Sequence, residues 1–158
     1  MQKKLKEREI IDRFINSGII SGWFLQEIPV GLKIFENILA KEYHEKELTR
    51  LRGTLTVLSR KIDLVCIVGI NRPPLKPKFK DWLKIREELK GTKAWLFEVK
   101  DRLNAEALGE ILINEYLFKK DNPDIHVIGK GIICGKRDPN SLLIGEACKA
   151  YRVKVFFI

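Results

Sequence analysis

Cysteine is scarce in this 158-residue chain, and what there is of it forms no pattern. Cys66, Cys134 and Cys148 make no C-x-x-C pair, and an odd number at such spacing supports neither a disulfide framework nor a structural zinc site. Each has apolar neighbours and is expected to be a core thiol, which predicts a reducing, intracellular (cytoplasmic) setting. Histidine is nearly absent as well. His44 lies among alternating charges and His126 begins a strand, so neither has the partners that a catalytic or metal-binding histidine needs. No Ser-His-Asp or Cys-His arrangement can be read. GKGIICGK lacks the Walker spacing and its terminal Ser or Thr, which excludes a P-loop. No apolar run approaches membrane-spanning length, and MQKKLKEREI carries no apolar signal region, so no membrane partner is expected. Repeats and low-complexity linkers are missing too.

What is present is positive charge and enough apolar residues for a core. Thirty Lys and Arg against 21 Asp and Glu leave a net charge of +9. Crowding of Lys with Glu on thermophile surfaces is the competing explanation, but it would balance the signs. The excess favours an anionic partner, nucleic acid before membrane. A hydrophobic content of 45% suits one domain over 1–158, a size that buries roughly 68–70% of its extended-chain surface.

Hydrophobic spacing predicts an alternating order of elements. Residues 4–17 read as a helix stopped by Gly18, 22–30 as a strand, and 32–51 as a second helix. A strand follows over 61–69. The segment 71–80, with its three prolines, is expected to be a loop, and 81–90 a short helix. Residues 93–100 read as a strand, and 105–119 as a buried helix capped by Asn104. A strand over 125–134, a helix over about 140–150 and a strand over 152–158 complete the chain. Strands alternating with helices imply an α/β domain with a mixed central β-sheet flanked by helices on both faces.

Two strands carry acids in apolar surroundings. In KAWLFEVK, Trp95, Phe97 and Val99 share one face, and Leu96, Glu98 and Lys100 the other. Asp63 lies early in KIDLVCIVG and can sit beside Glu98 if the strands are neighbours. An isolated Glu-x-Lys is ordinarily a surface ion pair of little energetic consequence. Two carboxylates sharing a site, however, repel unless a cation lies between them, and oxygen ligands suit Mg²⁺ or Mn²⁺. Lys100 would then orient or deprotonate the attacking water.

The ordered set resembles the PD-(D/E)XK nuclease superfamily: a helix with an acid (KEREIIDRFINSG), an Asp strand (RKIDLVCIV), then Glu-x-Lys at a strand end (WLFEVK), followed by a helix. The first helix and GWFLQEIPVG look like the start of archaeal Holliday-junction resolvases. The resemblance covers residues 6–30 and 61–119. It implies a restriction-endonuclease-like fold and makes Asp63 and Glu98 metal ligands, with Val99 between Glu98 and Lys100 in the same metal set. Lys100 becomes the catalytic lysine, and Glu7 the helical acid. Its implied activity is Mg²⁺- or Mn²⁺-dependent hydrolysis of DNA phosphodiester bonds, and its implied assembly a homodimer. The chain departs from the pattern in two inserts, at about 32–51 and 71–91. On the helix after the lysine, Glu110 and Asn114 stand where many relatives carry Gln and Tyr, which makes Glu110 a possible accessory residue. Lys76, Lys78 and Lys80, with Phe79 and Trp82 as aromatic surface, are candidate DNA contacts, as are Lys3 and Lys4. The alternatives are a catalytically inactive nucleic-acid-binding or assembly module of the same fold, and an α/β interaction domain whose charge reflects thermophily.

Overall fold

The computed structural model describes residues 2–34, 36, 60–139 and 141–158. Its elements run α1 (Gln2–Ser17), β1 (Trp23–Val30), β2 (Arg60–Val68), α2 (Phe79–Glu88), β3 (Lys93–Arg102), α3 (Ala105–Asp121), β4 (His126–Lys136), α4 (Ser141–Ala150) and β5 (Val153–Phe157). Residues 32–34 are helical, and the rest of the helix expected over 32–51, with His44, lies outside the described residues apart from residue 36. The strands form one mixed sheet in the order β1-β2-β3-β4-β5. β1 and β2 are antiparallel, as are β2 and β3, whereas β3, β4 and β5 are mutually parallel. The parallel steps run through α3 and α4, because a parallel neighbour needs a connection long enough to return the chain, and α2 lies between the antiparallel β2 and β3.

Helices cover both faces of the sheet. On one face α1 sets Ile10, Ile11 and Phe14 against Phe24, Leu64, Phe97, Val99 and Ile133. Phe14 is fully buried and meets the rings of Phe24, Phe97 and Phe156 edge-on, at centroid distances of 6.3, 5.1 and 5.3 Å. Trp95 stacks on Phe97 on this same face. The glycines of β4 make room for these rings: a Cβ on Gly129 would lie 2.4 Å from the Trp95 ring, and one on Gly131 3.1 Å from Phe97. On the other face lie Ala107, Leu108, Ile111 and Phe118 of α3, with Trp82 of α2 and Cys148 of α4, against Leu25, Val65, Ile67, Leu96 and Ile132. Trp82 is 1% exposed and packs near Phe118, so it is a core residue and not the aromatic surface expected of it. The apolar spacing that makes α2 a helix also turns this indole inward.

Local signals account for the ends of the elements. Gly18 takes φ +69° after α1, and Gly91 takes φ +82° before β3, a left-handed backbone that glycine adopts without strain. Asn104 caps α3, its side-chain oxygen accepting from the Ala107 amide at 2.8 Å. All three cysteines are buried free thiols. No helix among the described residues is long and apolar enough to cross a membrane.

Candidate active site

The β2–β3 ladder runs from Val68↔Lys93 to Leu64↔Phe97 and stops one pair short of Asp63 and Glu98. Beyond that point the strands part: β2 continues along β1, and β3 continues along β4. The Asp63 side chain fills the opening, and its Oδ2 accepts the Val99 amide at 2.8 Å. That amide would otherwise be an unpaired donor at a point where a strand loses its neighbour. Strand alternation puts Glu98 on the α3 face, where it is 2% exposed and hydrogen-bonded to Asp63. Asn114 of α3 donates its Nδ2 to Glu98 Oε1 at 2.6 Å. Its other end accepts from Arg60 Nε at 3.0 Å. Arg60, Asn114, Glu98 and Asp63 thus form one chain of hydrogen bonds from the sheet rim to the two carboxyls.

Burial and mutual repulsion set the charge state of this pair. Desolvation raises the Glu98 carboxyl to about 9, with the Asp63 charge acting in the same direction. Asp63 is also raised, chiefly by burial, against the opposing hydrogen bonds from Glu98 and Val99 and the Lys100 charge. Two carboxyls in contact cannot both ionise cheaply, so near neutral pH the pair holds one proton between them. Lys100 lies beside them on the same strand face, two residues on. Its ammonium meets Glu110 at 3.1 Å and Glu106 at 3.9 Å. Burial works against its charge, but the Glu110 hydrogen bond and the nearby carboxylates outweigh burial and raise its pKa. In this state Lys100 is a held cation and not a free base.

Asp63, Glu98, Lys100 and Glu110 come together at one opening in the sheet. Val99 takes part through its amide, while its side chain belongs to the core beneath α1. Glu7 is carried by α1, which packs on the face opposite Glu98 and Asn114. Among the described residues no group of three or more His, Cys, Asp or Glu is disposed to hold a metal ion. Asp63 and Glu98 alone suit Mg²⁺ or Mn²⁺, because hard divalent ions keep most of their waters and bind through one or two carboxylates.

The proline-rich loop reaches the level of the site. Leu75 exchanges backbone hydrogen bonds with Phe24 and Gln26 at 3.0 and 2.9 Å, so the chain after β2 doubles back beside β1. Lys76 then pairs with Glu27 at 2.9 Å. Glu27 falls between the Gln26↔Leu64 and Ile28↔Ile62 pairs, directly across from Asp63. The loop thus runs two strand spacings, about 10 Å, from β2. Lys78 and Lys80 are exposed and make no ion pair among the described residues. The side chains of Lys3 and Lys4 lie outside the description.

Sequence reasoning missed Arg60 and Glu27. No pattern marks Arg60, whose role depends on where α3 crosses the sheet. Glu27 did leave a trace. Trp23, Leu25, Ile28 and Val30 all enter the α3-side core, which breaks strict alternation at residue 27, and Glu27 takes φ +53° there. A non-glycine residue in that region marks a local backbone irregularity beside the site. Comparison of the chain with family models, characterised proteins and solved structures returned no match.

Proposed function

We propose that this protein is a Mg²⁺- or Mn²⁺-dependent nuclease that hydrolyses DNA phosphodiester bonds, with a restriction-endonuclease-like fold. The observation that carries the proposal is the contact of half-buried Asp63 with buried Glu98 at the parting of β2 and β3, with Lys100 on the same face as Glu98. Asp63 and Glu98 would hold the ion and give up their shared proton as they do so. The bound ion supplies Lewis acidity toward the scissile phosphate and the attacking water. Asn114 keeps Glu98 in one orientation, and Arg60 keeps Asn114 there. Lys100, released in part from Glu110 by an incoming phosphate, would orient the water and offset the charge that builds on the phosphorus oxygens. Lys78 and Lys80 would add phosphate contacts that read no sequence. The resemblance to resolvases extends the proposal to a homodimer.

A second reading is favoured by one observation. The ion pair of Lys100 with Glu110 at 3.1 Å, which already occupies the lysine, suits a catalytically inactive nucleic-acid-binding or assembly module of the same fold. Incubation with labelled duplex, single-stranded and four-way-junction DNA, with Mg²⁺, Mn²⁺ or EDTA, separates the two. The nuclease cuts at least one substrate with metal and none with EDTA. The module binds DNA and cuts nothing under any condition.

A further inference from the structure

The two edges of the sheet are finished differently. The loop through Leu75 covers the β1 edge. At the other end, β5 has no strand beyond it among the described residues. The Ile158 amide donates to the Cys134 carbonyl at 2.9 Å. Amides alternate sides along a strand, so those of Val155 and Phe157 point away from β4 toward the open edge. Lys154 is the only charge within VKVFF, and an apolar edge of this kind is a template for another strand.

A mostly apolar groove of about 1010 Å³ runs between this edge and α4, with Leu142, Gly145, Val155 and Phe157 among its lining. Leu142 is 75% exposed. The groove rim is cationic. Arg137 lies over the Phe157 ring, 4.6 Å from its centroid, at one end of β5, and Arg152 stands at the other, whereas the Lys154 ammonium lies over the Trp95 ring on the α1 face. Neither arginine forms an ion pair among the described residues, whereas the rim acids are engaged: Asp138 with Arg102 at 3.4 Å and Glu146 with Lys149 at 3.1 Å. A second copy of the chain would bring two cationic rims together, and a nucleic acid would leave the apolar floor uncovered.

We infer that the β5 edge and this groove take an extended segment of a partner protein, aliphatic in its middle and acidic at both ends, added to the sheet beside β5. The outward amides of Val155 and Phe157 donate to its backbone carbonyls. Its central aliphatic side chains on the α4 side enter the groove, and its end carboxylates meet Arg137 and Arg152. Main-chain pairing gives the affinity, and the pockets and rim charges give the selectivity. The inference stands apart from the nuclease reading and uses none of its residues.

The probe is a blocked synthetic peptide with a valine run between glutamates, titrated into the full chain while amide hydrogen exchange is followed. Saturable binding is expected, with the Val155 and Phe157 amides slowed about tenfold or more and a lysine–valine peptide binding at least about tenfold more weakly. Val155→Pro removes an outward donor without touching the β4 ladder and should weaken binding by a similar factor. Arg137→Glu with Arg152→Glu leaves the backbone alone, should weaken binding likewise, and decides the matter if the proline variant fails to fold. Three results would overturn the inference: β5 amides unchanged at peptide saturation, equal binding of the lysine peptide, or sedimentation showing that a dimer dependent on this edge already occupies it.

Discussion

At the scale of single residues, the Asp63–Glu98 pair makes stability depend on pH in a definite direction. Glu98 has a folded value of about 9 against an ordinary 4.5. A raised folded value means that the stability it contributes is fully present below the ordinary value and is lost as pH rises toward 9. The metal-free protein should therefore melt at progressively lower temperature between about pH 5 and pH 9. Glu98→Gln reproduces the protonated form, since its amide donates to Asp63 while its oxygen still accepts from Asn114. Thermal melts of this variant should show a flattened slope and, at pH 8, a gain of about 4–8 °C for about 2 kcal/mol. A steeper slope than the parent's would mean that Glu98 does not hold the proton. Asn114→Ala should act in the opposite sense, costing about 1–3 kcal/mol by stripping a buried carboxyl of its partner. Much of this site was legible in the sequence, because Asp63, Glu98 and Lys100 declare themselves as charges inside apolar strands. Arg60 and the bond from Asn114 to Glu98 were not, because they depend on how α3 lies across the sheet, and no local spacing carries that information.

At the scale of elements, the site exists because β2 and β3 part after Leu64↔Phe97 while the layers on both faces stay closed. On the α1 side the closure rests on Phe14, which joins the helix to three strands. Phe14→Ala should cost about 3–5 kcal/mol, read as a fall in the midpoint of denaturant unfolding, because the surrounding rings cannot collapse into the space. A loss well under 1 kcal/mol would mean that α1 is held by something else. The alternation of helix and strand could be read from period and punctuation: α1, β3 and α3 begin and end close to where Gly18, Gly91 and Asn104 place them. Other features were set by tertiary contact. The segment 71–80 was expected to be a loop, yet Phe79 and Lys80 already belong to α2, and Leu75 pairs with β1 and brings Lys76 level with Asp63. Trp82 looked available to a ligand because tryptophan beside lysines fits a nucleic-acid surface, but the period of α2 commits it to the core.

At the scale of the whole molecule, a net charge of +9 predicts an affinity for DNA that falls steeply with salt, as lysines and arginines displace counterions from phosphates. Replacing Lys76, Lys78 and Lys80 together by Ala should weaken binding evenly across sequences and flatten the salt slope by about two or three contacts. An unchanged slope would remove that loop from the interface. Affinity alone does not separate a nuclease from a binding module, since phosphate contacts serve both equally. The Lys100 ammonium does separate them. It is no metal ligand, and it lies apart from the loop that would carry most phosphate contacts, so its removal should spare binding and remove chemistry. The most direct measurement is the single-turnover cleavage rate of labelled DNA by the parent and by Lys100→Ala in Mg²⁺ and Mn²⁺, with DNA binding by both proteins followed in Ca²⁺. The predicted result is metal-dependent cleavage by the parent, a loss on the order of 10²-fold or more in the variant, and little change in Ca²⁺ binding. Cleavage by Lys100→Ala at the parent's rate, or no cleavage by the parent with either metal, would contradict it.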